Sequence, residues 1–396
     1  MRIKTIKPEQ VLYVIALCTT LAFITLAAYY TGHPETSKTD AKSLASKWLA
    51  PCTKETCIKF GLENITKKYG TQTAMDALGL YANSPNSLAG DIHERAHYIG
   101  YQTAITYGTK GDSFLKCSTQ FNYGCMHGFF IRAIEVKPKS MPLYQAADNI
   151  CSSIESNPSY SINMKYYCYH GVGHAIMVAR NYKLTAAIST CDQLKSQIGQ
   201  TGCWQGVFME NVNGQMNEGV SNGSFSDTDP LAPCDTFADK YQRECYINQA
   251  GHLFSYYNWD ISKSTLACLN AGAQTSTCLE GIGLSATSSV WQKILLGDQV
   301  SGGTESTGWL FCSKFPEGHV ESCVTGAVVQ ILQMDRFDFK RADRFCSLVG
   351  SSLQTACYRR IGEYTRLEST NSQNASGYCD QLPSMWQPVC RQGAQA

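Results

Sequence analysis

The spacing of the cysteines constrains this chain more than any other feature. Of its 19 cysteines, 18 fall into nine successive pairs: Cys52/Cys57, Cys117/Cys125, Cys151/Cys168, Cys191/Cys203, Cys234/Cys245, Cys268/Cys278, Cys312/Cys323, Cys346/Cys357 and Cys379/Cys390. In the last six pairs the partners stand 10 to 12 positions apart (268 to 278 and 191 to 203 are the extremes). From the second pair on, first members advance by 33 to 44 residues (346 to 379 and 268 to 312), a period that fits a helix–turn–helix unit. Connectivity cannot be deduced from sequence, but pairing of neighbours is the simplest scheme, because each partner recurs at a fixed offset. Such density belongs to an oxidising compartment.

Each unit reads as a helix A ending near its first cysteine, a short turn, and a helix B starting near its second. Arg341-Ala342-Asp343-Arg344-Phe345-Cys346 and Cys357-Tyr358-Arg359-Arg360-Ile361-Gly362 show the two halves. Glycine often follows the second cysteine at +3, as Gly128, Gly171, Gly206, Gly281, Gly326 and Gly393. Glycine inside a helix costs stability relative to alanine, so its recurrence predicts close packing of helix B on a neighbour. Residues 41–70 read as two helical pieces broken at Pro51 and tied by Cys52 and Cys57, and surface loops are expected over 214–229 and 297–308. The expected fold class is all-α, a right-handed solenoid of helical hairpins with one disulfide inside each.

On period, helix pairing and cysteine placement, residues 71–396 resemble the disulfide-stapled repeats of the Sel1-like branch of the tetratricopeptide superfamily. The resemblance implies an architecture only: B helices side by side, lining a concave inner surface. A closed disulfide loop of this size contributes roughly 3 kcal/mol in the chain-entropy picture.

At the N-terminus, Arg2, Lys4 and Lys7 precede an uncharged, mainly apolar run over residues 11–30, long enough to span a bilayer. The basic flank places the N-terminus in the cytoplasm and the rest of the chain outside. A cleaved secretory signal, or a lipoprotein-type acylation at Cys18, are the alternatives, and both export the same domain. The expected organisation is a basic flank (1–10), a transmembrane signal anchor (11–30), a linker (31–40), an N-terminal helical region (41–110) and the stapled repeats (111–396). The net charge of +1 leaves no basic excess to hold phosphates, so nucleic acid is not an expected partner. The expected partners are the membrane, through the N-terminal helix, and a protein, peptide or envelope glycan in the concave groove.

The histidines supply the chemical signal. In Cys168-Tyr169-His170-Gly171-Val172-Gly173-His174 two imidazoles stand four apart, on one face of a helix. Cys125-Met126-His127-Gly128 matches the first half, and Asp91-Ile92-His93-Glu94-Arg95-Ala96-His97 matches the spacing with Asp91 in the cysteine's place. Counted this way, His93, His127 and His170 fall at +2, and His97 and His174 at +6. Later units carry Gln205, Ile247, Glu280, Thr325 and Arg359 at +2, so duplication alone does not force histidine there. Rows of imidazoles on adjacent helices suit a divalent transition metal, zinc first, with copper and iron as alternatives; the oxidised cysteines are not available as ligands.

His93-Glu94-Arg95-Ala96-His97 also spells the HExxH motif of zinc metallopeptidases, a five-residue resemblance that implies two histidine ligands and Glu94 as general base. The extended form is absent, since Thr103 stands where a third histidine would. His252 and His319 lie off register, Glu210 and Glu280 fall on B helices, and the tyrosines around Cys168 read as core. No phosphate-binding glycine loop and no Ser/His/Asp set is evident. The function expected is a membrane-anchored, extracytoplasmic metal protein, a hydrolase or oxidase if it is an enzyme. The alternative is a non-enzymatic scaffold binding a protein, peptide or glycan.

Overall fold

A computed structural model describes residues 38–396 apart from 83, 85–86, 89–91, 111–112, 119, 122, 218–222, 288–302, 335–338 and 371. Among the described residues the chain is all-helical, without a strand. It opens with α1 (Lys38–Trp48), α2 (Glu55–Tyr69), α3 (Thr71–Ala82), α4 (Ile92–Tyr107) and α5 (Gly124–Glu135). The middle holds α6 (Leu143–Glu155), α7 (Ile162–Ala179), α8 (Leu184–Cys191), α9 (Gln197–Asn217), α10 (Asp239–Tyr246), α11 (Ala250–Tyr256), α12 (Ile261–Cys268) and α13 (Thr275–Leu284). The chain then continues through α14 (Thr304–Cys312), α15 (Val320–Met334), α16 (Phe339–Leu348), α17 (Ser351–Glu368), α18 (Ser372–Tyr378) and α19 (Gln387–Gln395).

All nine cysteine pairs are closed as disulfides between sequence neighbours. Cys191, Cys268 and Cys312 end α8, α12 and α14, and bond Cys203, Cys278 and Cys323 in α9, α13 and α15. Local sequence explains these helices. Ala146, Ala147, Ile150, Cys151 and Ile154 give α6 one buried face at helical spacing. The Ser161 and Asp260 side chains accept from the backbone N–H groups of Met164 and Lys263, capping α7 and α12.

The second helices of the hairpins pack through glycine. Gly128 rests on the carbonyl of His97 while Gly100 rests on that of Cys125, joining α4 to α5. The same exchange joins α7 to α9 (Gly206 on His170, Gly173 on Cys203) and α17 to α19 (Gly393 on Arg359, Gly362 on Cys390). It also joins α13 to α15, through Gly326 on Glu280 and Gly283 on Cys323. A methyl at any of these eight positions would overlap the facing backbone. Four of the six +3 glycines (Gly128, Gly206, Gly326 and Gly393) thus pack a helix on its neighbour reciprocally, joining hairpins two by two, whereas Gly171 packs on the Phe130 ring and Gly281 on the Ile247 carbonyl without a returning glycine.

These contacts also fix the register, and correct the sequence count in α4. Beneath Gly206, Gly281, Gly326 and Gly393 the carbonyl belongs to the residue two after a cysteine: His170, Ile247, Glu280 and Arg359. In α4 that residue is His97. Its equivalent of the cysteine is then Arg95, not Asp91, and His93 lies one turn earlier. Two histidines four apart fit either count, and no cysteine marks this helix. Arg95 is buried, with Nε and Nη2 donating to Glu55 at 3.1 and 2.9 Å and Nη1 to the Leu88 carbonyl at 3.1 Å. An ion pair to α2 stands where other hairpins have their disulfide.

The row of second helices curves until α17 meets α7. Asn163 donates to Glu368 at 2.8 Å, Gln333 to the Tyr167 hydroxyl at 3.1 Å, and the Tyr167 and Tyr364 hydroxyls lie 3.5 Å apart. Within this curve Tyr166 donates to Glu244 and Arg360 to Glu280. Two expected loops are partly helical. Helix α9 runs through Gly214, against which the Tyr182 ring packs, and α14 takes in residues 304–308. The expected membrane anchor and residues 31–37 of the expected linker lie outside the described residues, while its last residues, 38–40, are helical and open α1; among those described, no helix is long and apolar enough to cross a membrane.

Gly128→Ala and Gly362→Ala are expected to lower the unfolding free energy by about 1–3 kcal/mol through overpacking. Gly377→Ala, whose methyl meets nothing within 4 Å, should raise it by about 0.5–1 kcal/mol. Chemical denaturation of the oxidised proteins measures both; equal effects at the three sites would remove glycine contact as the basis of helix pairing.

Candidate metal centre

Helix α5 lies between α4 and α7, and each contributes histidines to one cluster. His93 and His97 sit one turn apart on α4, His170 and His174 one turn apart on α7, and His127 projects from α5 between them. Ligand nitrogens fall into two sets, His93/His97/His127 and His127/His170/His174, each with all members within 4.8 Å. All five histidines singled out in the sequence are thus brought together.

Within the first set, Nε2 of His93 lies 3.1 Å from Nε2 of His97 and 3.4 Å from Nδ1 of His127. In the second, the Nε2 atoms of His170 and His174 are 3.1 Å apart. Nitrogens bound about 2.0–2.1 Å from a tetrahedral ion stand roughly 3.3 Å from each other. These three spacings are ones that a shared ion, like a hydrogen bond, could span.

Neighbouring groups set the tautomers. Nδ1 of His93 is 2.8 Å from the Phe121 carbonyl, which only accepts, so Nδ1 carries the proton and Nε2 a lone pair. Nδ1 of His174 donates to Glu210 at 2.7 Å, whose other oxygen accepts from Tyr182 at 2.9 Å. Nδ1 of His97 lies 3.3 Å from Glu94. Each of these three rings therefore turns an Nε2 lone pair toward the cluster. Two lone pairs facing each other at 3.1 Å repel unless a cation or proton lies between them. Outer partners that fix the ligand tautomer in this way are a regular part of histidine metal sites.

Burial keeps the rings neutral. It lowers the pKa of His97, His127 and His174 well below the ordinary histidine value, with neighbouring imidazoles adding to the effect. His170 is pushed down to about 4 by burial, partly offset by Gln205. Neutral imidazole is the ligating form. Nε2 of His127 and Nδ1 of His170 are buried without a hydrogen-bond partner.

Three contributors were not legible as such in the sequence. Glu210 was visible only as an acidic residue on a B helix. Phe121 acts through its carbonyl, held in place by a turn in which Phe121 and Tyr123 both have positive φ (57° and 62°), a conformation that side chains other than glycine pay to adopt. Tyr182 reaches Glu210 from another left-handed turn, Asn181–Tyr182. Glu94, expected as a general base, meets His97 at Nδ1, the nitrogen turned away from His93. His252 stands apart, stacked on Phe225 with centroids 4.2 Å apart. His33 lies outside the described residues.

Fold and site together define a disulfide-stapled protein, all-helical among the described residues, with a cluster of five histidines on three adjacent helices, three of them buried and two partly exposed. Compared with family models, curated proteins and solved structures, the chain matches none.

The lowered histidine values carry a sign for stability. Because the unfolded chain protonates near pH 6.5 and the folded rings do so lower, stability is complete above pH 6.5 and declines as pH falls, for His170 until about pH 4. Each such ring contributes at most about 1.4 kcal/mol per pH unit across that window. The metal-free protein should lose unfolding free energy between pH 7 and pH 5, and a His127→Gln/His174→Gln variant should lose less. Equal slopes for the two proteins would assign the acid sensitivity to other groups.

Proposed function

We propose that this chain is an extracytoplasmic, transition-metal-binding protein in which His93, His97, His127, His170 and His174 are the ligands. One observation carries the reading: the Nε2 lone pairs of His93 and His97, oriented by Phe121 and Glu94, converge at 3.1 Å where only a cation or a proton reconciles them, and the Nε2 lone pair of His174, oriented by Glu210, faces His170 Nε2 at the same distance. An all-imidazole donor set favours zinc, copper or iron over magnesium or calcium, which take oxygen. Nine disulfides support an oxidising location. The basic flank and apolar run at residues 1–30 support export behind a membrane anchor, and the stapled hairpin series supports the tetratricopeptide-type reading of the fold.

Three-histidine coordination leaves a position for water or substrate. His93 and His97 are only partly buried, so that position lies toward the α4 side. Metal-assisted hydrolysis or oxidation is the reaction class such a centre supports. Glu94 acts here by orienting His97, since its contact is with Nδ1 and not with the space between the ligating nitrogens. The scaffold reading is less well supported, because side chains between α7 and α17 already engage one another.

Full-length protein, purified oxidised and without a histidine tag, should contain near-stoichiometric zinc, copper or iron by elemental analysis. Glu94→Gln and Glu210→Gln should each weaken metal affinity by about 10–100-fold, as loss of an orienting partner does. Unchanged affinity in Glu94→Gln with loss of a metal-dependent activity would restore Glu94 as the base. Absence of metal even after reconstitution would favour the scaffold.

A further inference from the structure

We propose that the centre holds two metal ions and that His127 is the ligand common to both. The proposal rests on the histidines being ligands, and adds the number of ions and the bridge between them. The ligating nitrogens form two triads, not one set of five, and His127 is the single member of both. A one-turn histidine pair flanks α5 on either side. On one side is the one-turn pair His93/His97, on the other the one-turn pair His170/His174, and each pair alone already has the nitrogen spacing of a shared ion.

His127 has a nitrogen for each side. Its Nδ1 lies 3.4 Å from Nε2 of His93. Its Nε2 is buried and has no hydrogen-bond partner in the protein, an expensive state for an imidazole nitrogen unless something is bound there. On the second side, one nitrogen from each of His127, His170 and His174 lies within 4.8 Å of the other two, and with Nδ1 turned to His93 the nitrogen left for that side is Nε2. Each ion then takes two Nε2 atoms from one helix and one nitrogen from His127. Bridging uses both ring lone pairs of His127, so as the second metal–nitrogen bond forms, the ring's N–H proton leaves to solvent and the imidazolate carries its charge between two cations. The two positions differ in access: His170 and His174 are buried, whereas His93 and His97 are partly exposed. The α7 ion is therefore the enclosed one, and the α4 ion is the one open to exogenous ligands.

The test uses full-length protein stripped of metal and titrated with Zn²⁺, with bound zinc counted after desalting. Two ions per chain are expected, falling to one in His93→Ala/His97→Ala and to one in His170→Ala/His174→Ala. One ion in the wild type, lost in either variant, overturns the two-ion proposal while leaving the metal reading intact. No bound ion at all overturns the metal reading itself. A second measurement needs no variant: wild type loaded with two Cu²⁺ should show an electron paramagnetic signal well below two isolated spins, because an imidazolate bridge couples them. A full two-spin signal would mean separate sites without a shared ligand, and would overturn the bridge.

Discussion

Contact between a glycine and a facing carbonyl is the constraint on which the rest depends. Gly128 seated on His97 brings α5 against α4 closely enough for His127 to meet His93. Gly206 seated on His170 does the same for α9 and α7, and one turn further along Glu210 reaches His174. Both backbone contacts involve the carbonyl of a cluster histidine. A methyl at either glycine would push the helices apart where the ring nitrogens need their spacing most closely kept. Packing and site share the same residues.

Disulfides make this arrangement sustainable. Clustering five imidazoles, three of them buried, costs desolvation free energy that an ordinary helical interface does not bear. Staples of roughly 3 kcal/mol each, set where one helix hands over to the next, hold the hairpins whether or not the cluster is satisfied. In α4, which lacks a cysteine, the ion pair of buried Arg95 with exposed Glu55 and the Arg95 contact with the Leu88 carbonyl take that place. A bidentate guanidinium gives direction as well as attraction, but unlike a disulfide it depends on its neighbours staying folded. The helix that supplies the more exposed half of the cluster is thus also held by the more conditional bond.

Much of this was legible in the sequence because it is periodic. Cysteine offsets gave the hairpins and their pairing, the +3 glycines gave close packing, and histidines four apart on successive units gave the cluster. What escaped has physical reasons. The register of α4 was ambiguous by one turn, since His93 and His97 fit either count and Arg95 does not look like a cysteine. The meeting of α7 with α17 depends on pairs such as Asn163 and Glu368, 205 positions apart, which no local pattern announces. The orienting carbonyl of Phe121 has no side-chain signature, and its placement follows from a left-handed turn at residues where sequence offers no glycine.

Ligand chemistry follows from the compartment as much as from the fold. With every cysteine of the described residues oxidised, thiolate is not available, and the remaining soft-to-borderline donor is imidazole. Imidazole binds metal only when neutral, and burial secures that state without any carboxylate entering the sphere. Glu94 and Glu210 each meet an Nδ1, where their charge raises the donor strength of Nε2 and would offset part of the charge of an ion bound there. Protons and metal ions then compete for the same lone pairs. On the proposed reading, an acidic exterior would weaken the fold and metal binding together, whereas near neutrality a bound ion would favour the packed arrangement of α4, α5 and α7 that creates its site.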